Sequence, residues 1–149
     1  MKNLKILEYK DEFKEQIIGF LIDVAIGEFK FVSWYNYLKN KDFEPYKIKT
    51  SKFWFVLNED NEVVATCGGL KKDNETIKLN SFYVKKEYRQ NGIGKTLYKL
   101  FCDYATELNY KYIILCAHKE NDIAIKFYEK QGFYLDIVED EELWYKKKI

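Results

Sequence analysis

Apolar and polar residues alternate along this chain with two periods, one typical of β-strands and the other of α-helices. Lys5 to Tyr9 alternates as a short strand does, and from Asp11 to Ala25 the apolar residues recur at helical spacing. Phe31 to Leu38 keeps that spacing and predicts a second, shorter helix, whose aromatic side chains either line a core or face a substrate. Asn40 to Lys52, which contains the only proline, predicts an exposed connection.

The middle of the chain predicts a meander of strands and then a long helix. Turn-forming residues fill 58–61 and 71–75, between apolar stretches of strand length. Charged residues 85–88 interrupt the pattern, and after them Ile93 to Leu108 places its apolar residues on one helical face. The predicted strands of the meander are Phe53–Leu57, Val63–Leu70 and Thr76–Val84.

The last third of the chain predicts one more helix between strands. Tyr112 to Cys116 is a short apolar run, as in a strand buried on both faces. Asn121 suits the N-cap of a helix, and Gly132 stands where a glycine often ends one. Two final strands, joined by the acidic turn 139–142, are predicted at Phe133–Val138 and Leu143–Lys147.

The predicted order is β-α-α-β-β-β-α-β-α-β-β. Such an order is typical of an α/β (α+β) domain with an antiparallel front and a βαβ unit behind it. With 149 residues, one proline and no repeat or flexible linker, the chain predicts a single domain over residues 1–149.

Charge and hydropathy exclude several classes of partner. The chain has 25 Lys and Arg against 24 Asp and Glu, so no overall positive field favours nucleic acid or an anionic membrane. No apolar run approaches the length of a membrane span, and Met1 to Lys5 lacks the apolar stretch of a signal peptide. We therefore expect a cytoplasmic protein.

The cysteines predict neither a disulfide framework nor a metal site. Cys67, Cys102 and Cys116 are odd in number, widely separated and flanked by apolar residues. Buried packing is the favoured interpretation over a catalytic thiol, because unpaired cysteine is among the most buried residue types.

The segment Arg89-Gln90-Asn91-Gly92-Ile93-Gly94-Lys95 predicts a local anion site. It lies between a predicted strand and the long helix, where the N–H groups of the first turn lack partners and the helix dipole is positive. The glycines let the backbone approach an anion closely, and Arg89 and Lys95 add positive charge. A phosphorylated ligand fits this description.

Two familiar phosphate-binding loops do not fit the segment. A Walker-type loop needs glycine five positions before the Gly-Lys-Thr at 94–96, and Arg89 stands there. The dinucleotide fingerprint needs a small residue three positions after Gly94, where the chain has Leu97.

The loop resembles that of the GNAT acetyltransferases, in which Arg or Gln is followed by two residues, Gly, one residue, and Gly or Ala. Residues 89–94 match this pattern at every defined position. The resemblance runs from the strand 79–84 to Asn121, Ala124, the Phe127-Tyr128 pair and Gly132-Phe133, about a third of the chain.

The resemblance implies a fold and a cofactor. It implies a mixed, mostly antiparallel central sheet flanked by helices, in which the fourth and fifth strands splay apart and acetyl-CoA lies in the wedge. The pantetheine arm would pair with the edge formed by Phe82, Tyr83 and Val84, and Asn121 and Tyr128 would face the cofactor from the next helix. The pyrophosphate would bind at Arg89, Gln90, Asn91, Gly92, Ile93, Gly94 and Lys95.

The resemblance also implies a catalytic acid. A neutral amine attacks the thioester carbonyl, and the departing thiolate needs a proton. By resemblance Tyr128 donates that proton, and a backbone N–H near Val84 stabilises the carbonyl oxygen. Read without the resemblance, Tyr128 would be a half-buried aromatic packed under its helix.

The general base departs from the family pattern. Many members carry a glutamate on the fourth strand, but Thr76 to Val84 has no carboxylate, and Lys78 stands about where it would fall. Glu75, His118 and water remain as alternatives. The missing carboxylate favours an acceptor amine of low pKa or proton removal through water.

The sequence leaves the acceptor open. A small-molecule primary amine is the first choice, with a protein or peptide amine and a silent acyl-CoA-binding regulatory module as alternatives. Trp34, Tyr35, Tyr46 and the acidic cluster 139–142 lie in the variable parts that would select it. A homodimer is left open, and no metal is expected.

Overall fold

The fold is known from a computed structural model, which describes residues 3–149. Met1 and Lys2 lie outside the described residues. They belong to the segment Met1 to Lys5, from which we expected that a signal peptide is absent. In chain order the helices and strands are β1 (Lys5–Glu8), α1 (Lys14–Ile22), α2 (Tyr35–Lys39), β2 (Lys52–Leu57), β3 (Val63–Lys71), β4 (Thr76–Val84), α3 (Ile93–Glu107), β5 (Tyr112–His118), α4 (Asp122–Lys130), β6 (Tyr134–Glu139) and β7 (Glu142–Lys148). This order confirms the predicted one.

The strands form one mixed sheet of seven strands in the order β1-β2-β3-β4-β5-β7-β6. All neighbours are antiparallel except β4 and β5, which run parallel because α3 connects them. Their pairing covers only Thr76 with Tyr112, Ile77 with Ile113 and Lys78 with Ile114. Beyond Lys78 the two strands separate, so the predicted fold class and the splayed pair are confirmed.

Two hydrophobic clusters cover the two faces of the sheet. Side chains of β2 alternate between them: Trp54 and Val56 join α3 and α4 on one face, while Phe53 and Phe55 join α1 and α2 on the other. The central strands are therefore held from both sides, and the gap between β4 and β5 opens in a rigid frame.

The first helix is shorter and less regular than its spacing predicts. The turn Asp11–Phe13 is a 3-10 helix, α1 ends at Ile22, and Asp23–Glu28 continues as a π-helix. A π-helical segment shifts the later side chains around the axis. It turns Glu28 towards Arg89 in the loop before α3, and these two side chains form an ion pair.

The prediction of an exposed connection over Asn40 to Lys52 is only partly correct. Within it Lys41, Phe43, Tyr46 and Ser51 are all buried, and 44–47 form a 3-10 turn. The polar composition of the segment misled the prediction, because its aromatic residues and Lys41 pack inwards while its other charged residues from Asp42 to Lys49 are exposed.

The prediction that Tyr112 to Cys116 is buried on both faces is wrong. Ile113 and Leu115 are buried, but Ile114 and Cys116 are only partly so. Their face of β5 is turned towards the gap beside β4, and Cys116 lines a cavity there. The acidic turn is likewise shorter than predicted, since Glu139 and Glu142 pair with each other in the sheet.

Candidate active site

Two adjoining cavities occupy the gap between β4 and β5. The first, here called the loop cleft, has a volume of about 460 Å³ and is lined by the segment 89–95, β4 and α4. The second, the aromatic cleft, has a volume of about 350 Å³ and is lined by Trp34, Tyr37, Trp144 and the inward face of β4. Both clefts share one wall, which is formed by Phe82, Tyr83, Asn121, Ala124 and Tyr128.

The backbone of the loop is arranged to receive an anion. Gln90 and Gly92 adopt positive φ angles of 65° and 82°, which turn the chain sharply into α3. Among residues 3–149 no hydrogen-bond acceptor reaches the backbone N–H groups of residues 90–95. These groups lie at the positive end of the 15-residue helix α3, and Lys95 adds a charge. This backbone geometry is compatible with the predicted anion site.

The structure brings together almost all of the predicted cofactor residues. Asn91 and Ile93 are the exceptions among them, because Asn91 is exposed and the Ile93 side chain is buried in the core. The predicted residues that line the loop cleft are Phe82, Tyr83, Val84, Arg89, Gln90, Gly92, Gly94, Lys95, Asn121 and Tyr128.

Arg89 is held by protein groups. Its Nη2 donates to Glu28 Oε1 at 2.6 Å and its Nε donates to the Val84 carbonyl at 3.0 Å. The Phe29 ring lies 5.1 Å from the guanidinium carbon. Since Glu28 balances the charge, Arg89 fixes the end of β4 against the π-helix, and Lys95 with the free N–H groups remains to face an anion.

A bulge in β4 lies at the shared wall. The pairing with β3 shifts between Gly68–Asn80 and Thr66–Tyr83, which leaves one extra residue in β4. Ser81 takes a φ of 48°, and its carbonyl accepts a hydrogen bond of 2.6 Å from Thr66 Oγ1. The alternating pattern of β4 gave no sign of this bulge, which redirects the backbone where the clefts meet.

Tyr128 is enclosed in the shared wall. It is 6% exposed, and the rings of Phe127 and Phe133 each lie 5.7 Å from its own. Burial raises the pKa of its phenol well above the usual value, so the hydroxyl stays protonated at neutral pH. Within residues 3–149 this hydroxyl has no hydrogen-bond partner. The Asn121 side chain accepts from the Ala124 N–H at 3.2 Å and begins the helix that carries Tyr128, as its N-cap character predicts.

The geometry of His118 does not suit a general base. Its Nδ1 accepts the Glu120 N–H at 3.1 Å, and its Nε2 lies 3.4 Å from Glu141 Oε2. A neutral imidazole has one nitrogen lone pair, and here Nδ1 already uses it. The ring is also stacked on Phe31, with centroids 4.2 Å apart.

Neither Glu75 nor Cys116 supplies a base or a nucleophile. Glu75 lines neither cleft, and its carboxylate lies 3.4 Å from Lys111 Nζ. Cys116 lines the aromatic cleft, but burial raises the pKa of its thiol to about 12. All three cysteines are free; Cys67 is buried as expected, while Cys102 and Cys116 are partly buried.

A buried lysine beside the aromatic cleft escaped the sequence analysis. Lys41 is 5% exposed, and its Nζ donates to Tyr46 Oη at 3.1 Å. Burial, followed by the charge of Lys78, lowers the pKa of Lys41 to about 8. The aromatic residues close to Lys41 in the sequence are the one signal from which its burial could have been predicted.

No feature of residues 3–149 suggests a metal centre, since no group of three metal-ligating side chains comes together there. Within the same residues, no helix combines the length and the apolar composition needed to cross a bilayer.

Comparison with known proteins gives a consistent result. The probable N-acetyltransferase 14 of Xenopus tropicalis is 27% identical over 90 residues, which are 59% of this chain and 43% of that protein. The chain thus spans less than half the length of the curated relatives that it matches.

Solved structures share the whole fold. An acetyltransferase from Streptococcus agalactiae superposes with a TM-score of 0.85 at 22% identity, covering 100% of both chains. The PaiA N-acetyltransferase from Thermoplasma acidophilum, in complex with coenzyme A, has a TM-score of 0.78 at 19% identity and covers 98% of this chain and 99% of that one. The model of the acetyltransferase (GNAT) family matches residues 11–133. This chain therefore belongs to the acetyltransferase (GNAT) family.

Proposed function

We propose that this protein moves the acetyl group of acetyl-CoA to the primary amine of a small molecule, by direct attack in a ternary complex. The observation that carries the proposal is the wall shared by the two clefts. A thioester held in the loop cleft and an amine held in the aromatic cleft would meet at Tyr128, without transfer of the acetyl group to the protein.

The loop cleft suits coenzyme A. The unpartnered N–H groups of residues 90–95 and the charge of Lys95 can bind the pyrophosphate. Beyond Lys78 the edge of β4 is unpaired on the side of β5, so Phe82 to Val84 can hydrogen-bond the amide groups of the pantetheine arm. The coenzyme A complex of the Thermoplasma acidophilum relative supports this assignment.

The residues of the shared wall suit acetyl transfer. When bound, acetyl-CoA supplies an activated acetyl group; the acceptor nitrogen forms a bond to the acetyl carbon while the carbon–sulfur bond breaks. Tyr128 donates its proton to the leaving sulfur. The nitrogen loses its proton to water, since β4 carries no carboxylate and the Nδ1 lone pair of His118 is engaged; Glu142, the carboxylate that lines the aromatic cleft, can accept the proton from that water.

The size of the aromatic cleft supports a small acceptor. Its volume of about 350 Å³ lies at the lower end of the range for small-molecule sites. Trp34 and Tyr37 line it, so α2 and the turn before it form part of the wall of the acceptor site. A protein or peptide amine would need more room than this volume offers.

Two measurements test the proposal. We expect acetyl-CoA, but not ATP at the same concentration, to raise the melting temperature. We also expect free thiol to be released when acetyl-CoA is incubated with a panel of small primary amines. Stabilisation by acetyl-CoA without transfer to any amine would indicate a binding module, and stabilisation by ATP alone would overturn the assignment of the loop cleft.

A further inference from the structure

One wall of the aromatic cleft presents hydrogen-bond donors that the transfer reaction does not use. Lys78 and Asn80 both line the cleft from β4, and because they are two residues apart they lie on the same face of the strand. A pair of donors side by side on a strand is an arrangement that binds an oxygen-rich group.

The orientation of the Asn80 amide follows from its neighbours. An ammonium group can only donate, so Tyr46 Oη accepts from Lys41 and must give its own hydrogen to Asn80 Oδ1, 2.8 Å away. The oxygen end of the amide therefore faces Tyr46, and the NH₂ end is directed elsewhere.

The NH₂ group of Asn80 is open to the cleft. Among residues 3–149, Tyr98 Oη is the sole buried side-chain polar atom without a hydrogen-bond partner. Asn80 Nδ2 has no hydrogen-bond partner either. Because it is not among the buried unpartnered atoms, it is accessible to solvent or to a ligand. Gly68 makes room for this arrangement, since a Cβ there would lie 2.2 Å from Asn80 Oδ1.

Lys78 is an unpaired cation in the same wall. Its Nζ lies 4.9 Å from the centre of the Trp144 ring, and within residues 3–149 it forms no ion pair. Lys41 lies behind Asn80 and adds a second positive charge through the Lys41–Tyr46–Asn80 chain. The wall therefore holds two positively charged side chains and two free donors.

We infer that the acceptor is an amino acid or a related amino carboxylate, whose carboxylate binds Lys78 Nζ and Asn80 Nδ2. This inference rests on the proposed function and names its substrate class. One ammonium and one amide match the single charge and two oxygens of a carboxylate. The amine end of the molecule then points along β4 towards Phe82 and Tyr128, and the carboxylate of Glu142, which also lines the cleft, can attract its positive, resting form.

The test compares amino acids with their own carboxamides, which keep the amine and the side chain but lose the negative charge. Values of kcat/KM are expressed per concentration of neutral amine and measured for alanine, aspartate, phenylalanine and their amides. For the amino acid that reacts best, we expect the acid to exceed its amide by 10-fold or more. Phosphoethanolamine is included as an acceptor with a different anion, and a preference for it would overturn the choice of carboxylate.

Variants assign the effect to the wall. Lys78→Met should lower kcat/KM for the acid by about 10-fold or more and leave the amide within about 2-fold. Asn80→Asp should act in the same direction, because it places a negative charge beside the carboxylate. Lys72→Met removes an exposed lysine outside both clefts and should change neither value. Equal loss for the acid and the amide in Lys78→Met would contradict the inference.

A second measurement does not require turnover. With coenzyme A present, the N-acetyl form of the preferred amino acid should raise the melting temperature of the protein more than its amide does. Acetylation of amines with no preference for a carboxylate would overturn this inference and leave the proposed function intact. If no amine is acetylated and no N-acetyl amino acid stabilises the protein, both fail.

Discussion

Tyr128 lines both clefts, and its hydroxyl has no hydrogen-bond partner within residues 3–149. We expect Tyr128→Phe to lower kcat by about 100-fold or more, because a positioned proton donor contributes about that much. The KM for acetyl-CoA should change by about 2-fold at most, since the ring keeps its contacts with Phe82. Steady-state kinetics with a saturating amine measure both values.

Tyr98→Phe is the matched control for that variant. Tyr98 also packs near Phe82, but it lines neither cleft, and its buried hydroxyl is unpartnered. Removing an unsatisfied buried hydroxyl should leave kcat unchanged and keep or raise the melting temperature. A similar loss of kcat in both variants would mean that the ring packing, and not the Tyr128 proton, limits the reaction.

Lys41 is a residue whose burial costs stability. Its pKa is about 8 in the folded protein against the ordinary lysine value of 10.5, and this shift corresponds to a free-energy difference of about 3 kcal/mol. The unfolded chain therefore binds more protons between pH 8 and 10.5, and the contribution of Lys41 to stability rises with pH across that window. Below pH 8 its full cost is present. Lys78, Tyr37 and Tyr46 are the titratable groups that face it.

Lys41→Met should accordingly stabilise the protein at pH 7. We expect the free energy of unfolding to rise by about 1 to 3 kcal/mol, because an apolar side chain replaces a buried charge whose contacts with aromatic rings offset only part of its cost. The gain should shrink between pH 8 and 9.5 as the wild type becomes more stable. Urea unfolding at pH 7 and at pH 9.5 measures this gain. Lys39→Met, which replaces an exposed lysine, is the control. A gain that does not vary with pH would contradict the shifted pKa.

At the scale of single elements, the loop before α3 depends on the backbone of Gly92. Its φ of 82° is a conformation that side chains disfavour, while no atom lies within 4 Å of the position where a Cβ would be. Gly92→Ala should therefore cost about 1 kcal/mol through backbone strain alone and raise the KM for acetyl-CoA, as the N–H groups of the loop shift.

Gly19→Ala provides the comparison for Gly92→Ala. Gly19 lies inside α1, and the space around it is equally free. There alanine favours the helix, so the melting temperature should rise slightly and the KM for acetyl-CoA should not change. Thermal unfolding and kinetics on both variants separate strain in the loop from the general effect of a methyl group. Equal KM values for the two variants would show that the loop tolerates the change.

Elements with local signals were predicted well, and those shaped by distant contacts were not. The bounds of β4 follow from the alternation of its residues, and the start of α3 directly after Gly92 follows from the glycines in a short window. The burial of Lys41 depends on Tyr46 and on Asn80, which Tyr46 contacts across 34 positions of sequence. No short window contains that information, so the polar segment 40–52 was read as exposed.

The same distinction divides the candidate site. The loop cleft is built mainly from segments that carry a recognisable pattern, and the sequence predicted most of its lining residues. The aromatic cleft combines α2, β4, β5 and β7, whose side chains meet only in the folded sheet. The sequence drew attention to Lys78, because it stands where many family members carry a glutamate. The role of Asn80 beside it and the bulge at Ser81 became visible only in the tertiary structure.

At the scale of the whole molecule, the sheet separates two cores with different tasks. The cluster on one face holds α3 and α4, which carry the loop and Tyr128. The cluster on the other face holds α1, α2 and the turn before α2, and Trp34 of that turn and Tyr37 of α2 line the aromatic cleft. Acceptor selection can therefore change on one side of the sheet while the cofactor side stays constant. The single-domain organisation, the cytoplasmic location and a homodimer stay predictions.

The short pairing of β4 with β5 gives the sheet a free edge in its middle. Unpaired strand edges normally expose a protein to self-association, because another strand can add to them. Here the loop 89–95 and α4 line the cleft along that edge, so their side chains restrict the approach of a strand from another protein. The unpaired edge of β4, which can hydrogen-bond the cofactor, is thus also shielded from pairing with another protein chain.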